Sequence, residues 1–214
     1  MSTAYGKIPK PEAAVSIDAI LPITKKLKNG KNAYLQAIDT TNQPLVTHLQ
    51  ALFNQAIEDG STYPQEYPLG EQQFMDYFLG YDAFVLATEI IDRNKDYDFD
   101  NVVIGMYYVK PNYPGRCSHI CNAGFITSIS FRGQGGGMAM GETLLTTAPA
   151  LGYKASVFNL VFVNNEASIR IWRKLGFQEV GRIPQAGRLK NSPDQLVDAL
   201  IFYNDFSKNN ALPK

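Results

Sequence analysis

Between residues 23 and 60, apolar positions first alternate with polar ones and then recur at helical spacing. The alternating segments flank Asn29-Gly30, a dipeptide that strongly favours the two-residue turn of a β-hairpin. Thr41 or Asn42 can cap the helix that follows, because short polar side chains accept hydrogen bonds from the free N–H groups of a first turn. Gly60 comes after the last apolar position. The pattern therefore predicts a hairpin followed by an amphipathic helix.

The rest of the chain alternates predicted strands and helices around a glycine-rich turn at residues 133–137. The predicted elements are a helix near residues 72–78, strands at 83–89 and 102–110 joined by a polar hairpin loop at 92–101, a strand at 120–131, a helix from the glycine turn to about residue 149, a strand at 155–163, a helix at 166–175, and closing strands at 177–182 and 198–205. This order predicts a mixed α/β (α+β) sheet flanked by helices. The domain is expected to span residues 23–207, between an N-terminal arm at 1–22 and a C-terminal tail at 208–214.

Composition and charge narrow the class of protein. Hydrophobic residues make up 45% of the 214 positions, which is enough for a sizeable core. Twenty basic and twenty acidic residues cancel, and no basic stripe is visible, which argues against a nucleic-acid partner. No apolar run approaches the roughly 18 residues of a membrane span, so no membrane partner is expected. Two cysteines, and an N-terminus without the pattern of a signal or transit peptide, predict a cytoplasmic protein, with mitochondria left open as a second compartment.

The glycine-rich turn is the most informative segment for function. It joins a predicted strand to a predicted helix, and backbone N–H groups at such a turn form an anion site. A Walker loop would need a lysine after the second glycine of its motif, but Glu142 follows Gly141. The dinucleotide-binding motif Gly-x-Gly-x-x-Gly does not fit either, because methionine stands where its third glycine should be. The pattern that fits is Arg132-x-x-Gly135-x-Gly137.

A second motif follows about thirty residues downstream of this turn. It reads Asn165-Glu-Ala167-Ser-Ile-Arg-Ile-Trp172-Arg-Lys-Leu175-Gly176-Phe177. Locally it predicts an asparagine cap, a helix with cations in its last turn, and a glycine stop. Together with the glycine turn at this spacing, it resembles the signature motifs of the GNAT superfamily of N-acetyltransferases. The resemblance implies the GNAT fold and acetyl-CoA as the acetyl donor.

Two further strings narrow the resemblance, and they read Cys121-Asn122-Ala123-Gly124-Phe125 and Phe158-Asn159-Leu160-Val161-Phe162-Val163. With shorter matches between residues 60 and 205, they resemble the yeast proline-analogue N-acetyltransferases, which acetylate azetidine-2-carboxylate and related cyclic secondary amino acids. The resemblance implies a small amino acid as acceptor, direct attack in a ternary complex, and a homodimer. It also implies a sheet that splays between parallel strands at 120–130 and 155–163, where the pantetheine arm of acetyl-CoA would enter.

The same resemblance assigns a set of residues to acetyl-CoA and predicts no metal. The turn would grip the pyrophosphate, and the end of the preceding strand and the second motif would line the rest of the co-substrate. The predicted co-substrate residues are Ile126, Thr127, Arg132, Gly133, Gln134, Gly135, Gly136, Gly137, Asn165 and Trp172.

The usual acid–base groups of the superfamily are missing from this sequence. Residues 121–131 contain no carboxylate and no histidine, so the strand before the turn offers no general base. Trp172 occupies the position where superfamily members often donate a proton from tyrosine, and an indole N–H is no practical acid. The leaving thiol would then depart as a thiolate and take its proton from water.

Three asparagines are the candidate catalytic residues in place of those groups. Asn122 and Asn159 are predicted to hold the carboxylate or the amine of the acceptor, and Phe125 to pack against its ring. Asn165 is predicted to orient the nucleophilic nitrogen or an ordered water. Asn159 shares a strand face with alanine and valines, and burying its amide unpaired would cost ~1–3 kcal/mol. The structural alternative for the three is a strand-end cap, a satisfied core amide and a helix cap.

The remaining candidate groups favour structural roles. His48 lies beside the apolar stripe of the first helix, which favours packing over catalysis. Cys117-x-His119-x-Cys121 offers three potential metal ligands, at a spacing that structural zinc sites seldom use. Two other functions stay open: a GNAT enzyme for another amine, such as a peptide N-terminus, a polyamine or a drug-like amine, and a non-catalytic acyl-CoA-binding module.

Overall fold

A computed structural model describes residues 7–208, in which one sheet is covered by helices on both faces. The strands are β1 (Ile23–Lys26), β2 (Asn32–Ala37), β3 (Asp82–Ala87), β4 (Val103–Pro111), β5 (Ile120–Thr127), β6 (Ala155–Phe162), β7 (Gln178–Gly187) and β8 (Val197–Asp205). The helices are α1 (Gln43–Asp59), α2 (Glu71–Phe78), α3 (Phe99–Val102), α4 (Gly136–Ala150) and α5 (Glu166–Lys174). The eight strands follow the spatial order β1-β2-β3-β4-β5-β6-β8-β7.

The sheet is antiparallel except at one junction. β5 and β6 run parallel, while the other neighbouring strands pair in antiparallel fashion. The predicted hairpin joins β1 to β2, but its loop has three residues, Lys28-Asn29-Gly30, instead of the predicted two. The Leu27 N–H bonds the Lys31 carbonyl (2.9 Å), and Gly30 takes the left-handed conformation (φ 81°) that ends such a three-residue loop. β4 and β8 pair with the outer edges of β5 and β6. The mixed α/β sheet predicted from the order of elements is confirmed.

Helix α1 begins and ends where the sequence places its caps. The side chain of Asn42, rather than that of Thr41, accepts a hydrogen bond from the Leu45 N–H (3.2 Å). Gly60 ends the helix in the left-handed conformation, with a φ of 59°. Because α1 ends at Gly60, the next loop begins there, and this loop borders the candidate site.

The strand before the glycine turn is shorter than predicted. It ends at Thr127, and Ile129–Phe131 form a 3-10 turn. The Ser128 N–H still bonds the Ile104 carbonyl (3.0 Å), but the Phe131 N–H bonds back to the carbonyl of Ser128 (3.0 Å). The alternation of apolar residues and serines mimics a strand here, although Ile129 is 46% exposed.

Two other elements differ from the predictions. The stretch predicted as a loop at 92–101 contains the start of α3. β7 continues to Gly187, past the predicted end at residue 182, and its register with β8 shifts at two places. Such shifts break the period-two pattern, so alternation alone could not follow the strand to its end.

Two hydrophobic cores lie on opposite faces of the sheet. On the α4/α5 face, helices α4 and α5 cover the central strands and bury Met140 and Trp172. On the α1/α2 face, helices α1 and α2 pack through an aromatic cluster that includes Phe53 and Phe74. The β5–β6 junction therefore lies in a sheet covered on both sides.

The described part of the N-terminal arm packs against the domain. Ile8 is 2% exposed, its N–H bonds the Tyr81 hydroxyl, and that hydroxyl donates to the Ile8 carbonyl. The N–H groups of Ala14 and Val15 both bond the Ala150 carbonyl. Residues 1–6 of the arm and 209–214 of the tail lie outside the described residues. Within residues 7–208, no helix is both long and apolar enough to cross a membrane.

Tyr107 links α4 to the sheet through its hydroxyl group. Its hydroxyl lies 3.2 Å from Thr143 Oγ1 and 3.0 Å from Thr147 Oγ1, all of them buried. Tyr107→Phe leaves buried hydroxyls short of a partner, so we expect the free energy of unfolding to fall by ~1–3 kcal/mol in urea denaturation. Tyr67→Phe is the matched control, since Tyr67 is 77% exposed, and should change it by less than ~0.5 kcal/mol. Equal losses in both variants would contradict the anchoring role.

Candidate active site

The parallel pairing of β5 with β6 stops almost as soon as it begins. The paired residues are Ile120 with Ala155 and Cys121 with Ser156, after which the described strands diverge. On its outer edge β6 stays paired with β8, although the register shifts between Phe158 and Val161. The predicted splay is therefore present, and it opens directly after Cys121.

Aromatic rings close the splay on the α4/α5 face. Phe125 of β5 meets Phe158 of β6 edge to face, with ring centroids 6.0 Å apart. Trp172 of α5 packs on both rings, at 4.9 Å and 4.6 Å, and is only 4% exposed. Trp172 is thus a core residue that touches both walls of the splay. Its predicted contact with acetyl-CoA is not visible in this packing and stays a prediction.

Phe125 and Asn122 point to opposite faces of β5, because residues separated by an odd number alternate across a strand. Phe125 stacks on Tyr107 (5.0 Å) within the α4/α5 core. Gly124, which shares the face of Asn122, has no room for a side chain, because a Cβ there would lie 2.6 Å from the Tyr108 ring. The two predicted acceptor residues of this strand are therefore not brought together on one surface.

The glycine turn presents free backbone N–H groups at the start of α4. Gly133 and Gly135 adopt left-handed conformations (φ 77° and 97°), which other residues rarely tolerate. No side chain caps this 15-residue helix, and within the described chain no acceptor bonds the N–H groups of Gly136 and Gly137. Free donors at the positive end of a helix dipole suit a phosphate or another anion.

Not every residue of the turn is free to donate. The backbone N–H of Arg132 bonds the Ile129 carbonyl (3.2 Å), and that of Gln134 bonds the Phe131 carbonyl (3.3 Å). The Gln134 side chain donates to the Ser130 carbonyl (2.8 Å). These two residues therefore shape the turn, and the glycines carry its open donors.

Two cations border the turn, and one of them was missed by sequence reasoning. The Arg132 side chain is 57% exposed and pairs at 3.5 Å with Asp59 at the end of α1. Lys28, in the β1–β2 hairpin, donates from Nζ to the Gly133 carbonyl (3.3 Å), and its backbone N–H bonds the Gln134 carbonyl (3.0 Å). No local pattern predicts a contact across about a hundred residues, so Lys28 gave no signal in the sequence.

The last residues of β5 are divided between the two faces. Ile126 is 5% exposed and belongs to the α1/α2 core, so only its backbone is available to a ligand in the splay. Thr127 reaches the other face, where its Oγ1 would lie 3.6 Å from a Cβ added at Gly137.

Asn159 is held by a second asparagine. Asn112 Nδ2 donates to Asn159 Oδ1 (2.9 Å), and Asn159 Nδ2 donates to Asn112 Oδ1 (2.6 Å). Asn112 follows β4, and its backbone N–H bonds the Ile120 carbonyl (2.9 Å), so the amide pair ties the β4–β5 turn to β6. Each amide keeps one N–H and one lone pair for a further partner. Sequence reasoning required a partner for Asn159 but did not identify Asn112.

Asn165 caps helix α5, as its place in the second motif predicts. Its Oδ1 accepts a hydrogen bond from the Ser168 N–H (3.2 Å). The side-chain N–H groups of Asn165 are left for other partners. The structural role is thus visible, and the proposed catalytic role is a separate hypothesis.

Lys110 lies across β4–β5 from Asn122, and it belongs to a string, Lys110-Pro-Asn-Tyr113, that adds to the family resemblance without predicting a role for the lysine. Its Nζ lies 4.4 Å from the centroid of the Tyr77 ring and 4.5 Å from that of Tyr108. The side chain is half-buried, and burial lowers the pKa of Lys110 to about 8. No described carboxylate lies within ion-pair distance of this ammonium.

A cavity of about 460 Å³ opens on the α1/α2 face, between the loop after α1 and the loop that joins β7 to β8. Tyr63 and Glu66 line it from the first loop, and Arg188 and Lys190 from the second. The Tyr63 hydroxyl is buried and finds no hydrogen-bond partner among the described residues. Burial raises the pKa of Tyr63, so this hydroxyl stays a neutral donor at physiological pH.

The other titratable groups take up packing positions. The His48 ring packs on Phe99 (5.6 Å), its Nδ1 lies 4.0 Å from Asp100, and burial lowers the pKa of His48. Cys117 is exposed in a 3-10 turn before β5, whereas Cys121 is buried inside the strand. β5 begins only at residue 120, so Cys117 and Cys121 do not lie on one strand. Their spacing in the sequence therefore does not place them on the same face as metal ligands.

Comparisons of sequence agree with this geometry. The Acetyltransferase (GNAT) family profile matches residues 52–177. N-acetyltransferase aca1 from Schizosaccharomyces pombe is 39% identical over 187 residues, which are 82% of this chain and 89% of that protein.

Comparisons of structure lead to the same fold. A GCN5-related N-acetyltransferase from Kribbella flavida superposes with a TM-score of 0.68 at 22% identity, over 81% of this chain and 97% of the other. A GNAT superfamily phosphinothricin acetyltransferase from Sinorhizobium meliloti, solved in complex with AcCoA, gives 0.67 at 18% identity, over 85% and 92%. The splayed parallel pair, the open glycine turn and these matches lead to one conclusion: the chain belongs to the GNAT family of acetyltransferases.

Proposed function

We propose that this enzyme transfers the acetyl group of acetyl-CoA to the amine of a small amino acid. The acceptor is a cyclic secondary amino acid such as azetidine-2-carboxylate or a proline analogue, and it attacks directly in a ternary complex. The observation that carries the proposal is the open set of N–H groups at Gly136 and Gly137. They lie at the start of α4, next to the mouth of the splay, with Lys28 and Arg132 at the border.

The turn fits the pyrophosphate of coenzyme A. Its left-handed glycines allow close approach of a phosphate, and the uncapped helix end supplies donors that do not need to reorganise. Lys28 and Arg132 add positive charge, although Arg132 shares its charge with Asp59. The pyrophosphate site thus combines the sequence motif with a lysine from the distant β1–β2 hairpin.

The splay fits the pantetheine arm. Beyond Cys121 and Ser156, the facing edges of β5 and β6 no longer pair with each other. Backbone N–H and C=O groups that leave a ladder need other partners, and the amides of an extended pantetheine chain can supply them. The Phe125–Phe158–Trp172 cluster closes the far side of this gap against water.

Catalysis in this proposal depends on positioning rather than on an acid or a base. Acetyl-CoA supplies a reactive thioester, so the new C–N bond replaces the C–S bond, while the amine gives up a proton to water and the thiolate takes one from water. The Asn112–Asn159 pair, with Asn122, would hold the acceptor beside the splay. The donors on offer to the tetrahedral oxyanion are backbone N–H groups of the strand edges, which is a common source of rate enhancement.

One observation favours a second candidate. Residues 121–131 lack the carboxylate that superfamily members often use, and Trp172 stands in place of their tyrosine, which is what a non-catalytic acyl-CoA-binding module would show. Release of free thiol from acetyl-CoA with a panel of amino acids, peptides and polyamines separates the alternatives. Thiol release with none of the acceptors, from protein that binds acetyl-CoA, would favour the binding module.

Acetyl-CoA binding should depend on the cations beside the turn. Lys28→Met and Arg132→Met each remove a charge near the phosphates, so we expect the Kd from titration calorimetry to rise about 3- to 10-fold in each variant. Lys95→Met, in the exposed loop before α3, is the matched control and should leave the Kd unchanged. Absence of any binding heat from folded wild-type protein would overturn the assignment of the turn.

The amide pair should act as one unit. Asn112→Ala and Asn159→Ala each release the same contact, so each should lower kcat/KM about 10- to 100-fold while the Kd for acetyl-CoA stays constant. The double variant should be little worse than Asn159→Ala, because the two effects share one interaction. Asn165→Ala tests the third asparagine, and its cap loss should also cost ~1 kcal/mol of stability. Wild-type kcat/KM in both Asn159→Ala and Asn165→Ala would refute the catalytic role of the amides.

The pH dependence should report the acceptor amine rather than a protein base. Only the neutral amine attacks, and its pKa lies near that of lysine, so kcat/KM should rise about tenfold per pH unit between pH 6 and 7.5. His48→Gln and His119→Gln should keep this slope. A plateau at or below about pH 6.5 that disappears in one of these variants would identify that histidine as the base.

A further inference from the structure

Lys110 is a half-buried cation without an anionic partner among residues 7–208. Its ammonium rests over the rings of Tyr77 and Tyr108, while no described carboxylate comes within ion-pair distance. Removing an ammonium from water is costly, and two ring faces offset only part of that cost. The site therefore lacks the negative charge that would complete it.

The groups around Lys110 are hydrogen-bond donors or amides, and they also suit a negatively charged ligand. Asn122 lies directly across from Lys110 in the β4–β5 ladder, and Asn112 follows two residues later in the chain. The buried Tyr63 hydroxyl, on the same α1/α2 face, has no partner in the described chain. Tyr77 and Tyr63 both act electrostatically on Tyr108, so the three rings form one neighbourhood. An ammonium without a carboxylate partner among the described residues, next to amides that keep a free N–H, predicts an anionic group on the ligand.

We propose that Lys110, held over Tyr77 and Tyr108 beside Asn122, binds the carboxylate of the acceptor. The inference rests on the proposed function and adds the group that selects among amines. A carboxylate on the carbon next to the amine, held by Lys110, leaves the nitrogen near the Asn112–Asn159 pair at the start of the splay. A polyamine would bring a second cation to Lys110, and a peptide N-terminus has an amide where the carboxylate should be.

The preference for acceptors with a carboxylate should depend on pH, because it requires the charged form of Lys110. Burial lowers the pKa of Lys110 to about 8, so the ammonium is present below that pH and is lost above it. The titratable groups in contact with it are Tyr77 from α2 and Tyr108 from β4, and burial raises the pKa of Tyr108. The preference for carboxylate-bearing acceptors should therefore weaken as the pH rises through about 8.

The test compares an acceptor that carries a carboxylate with its uncharged carboxamide analogue. The measurement is kcat/KM for azetidine-2-carboxylate and for its carboxamide, expressed as a ratio, in wild type, Lys110→Met, Lys110→Arg and the exposed control Lys95→Met. Loss of the charge should lower the acid-to-amide ratio about 10- to 100-fold in Lys110→Met, whereas Lys110→Arg and Lys95→Met keep most of it. Above about pH 8 the ratio should fall in wild type relative to Lys110→Arg, because arginine stays charged.

The outcomes separate this inference from the proposed function. In Lys110→Met, an unchanged acid-to-amide ratio would overturn the inference, whether kcat/KM stays constant or falls equally for both acceptors. Lys110 would then serve packing alone, while acetyl transfer would still stand. No turnover of either acceptor by wild-type protein that binds acetyl-CoA would instead overturn the proposed acceptor class. The Kd for acetyl-CoA, measured in parallel, confirms that each variant is folded.

Discussion

Backbone groups at the edge of a strand must find hydrogen-bond partners, and β5 and β6 satisfy this constraint with each other for only two residue pairs. Each strand is held on its outer side, β5 by β4 and β6 by β8, so the gap cannot close by sliding one strand alone. Aromatic packing beneath the gap fixes its width on the α4/α5 face. A slot with free backbone groups is therefore built into the fold, and the rest of the site is arranged around its two ends.

At one end of the slot the chain offers donors to an anion, and at the other it offers amides and the half-buried ammonium of Lys110. The open donors of the glycine turn are backbone N–H groups, and the side chains of Lys28 and Arg132 border them. At the other end, side chains from separate strands lie together: Lys110 ends β4 and Asn112 follows it, Asn122 lies on β5, and Asn159 lies on β6. Under the proposed function, positioning of the reactants replaces proton transfer by a side chain, and specificity depends on which groups are left unpaired.

The elements that carry strong local signals could be predicted from the sequence. The Asn29-Gly30 hairpin, the capped helix α1 and the glycine turn follow from turn chemistry, capping and the resemblance of two motifs. The failures share a cause. The alternation that predicts a strand to residue 131 continues through the 3-10 turn at Ile129–Phe131, because alternation cannot distinguish the two. The predicted end of β7 at residue 182 is too early, because register shifts interrupt its alternation. Lys28, Asn112 and Lys110 could not be assigned roles, because their partners lie far away in sequence and only the sheet order brings them together.

The order of the last two strands has a consequence for where this domain can be divided. The GNAT family profile matches residues 52–177, yet β8, which pairs with β6, lies between residues 197 and 205. The hairpin that carries Lys28 lies before residue 52. A fragment trimmed to the motif region would leave β6 with a bare edge, free to pair with other chains, and would lose the Lys28 contact with the glycine turn. The smallest autonomous unit of this enzyme is thus set by the sheet rather than by its signature motifs.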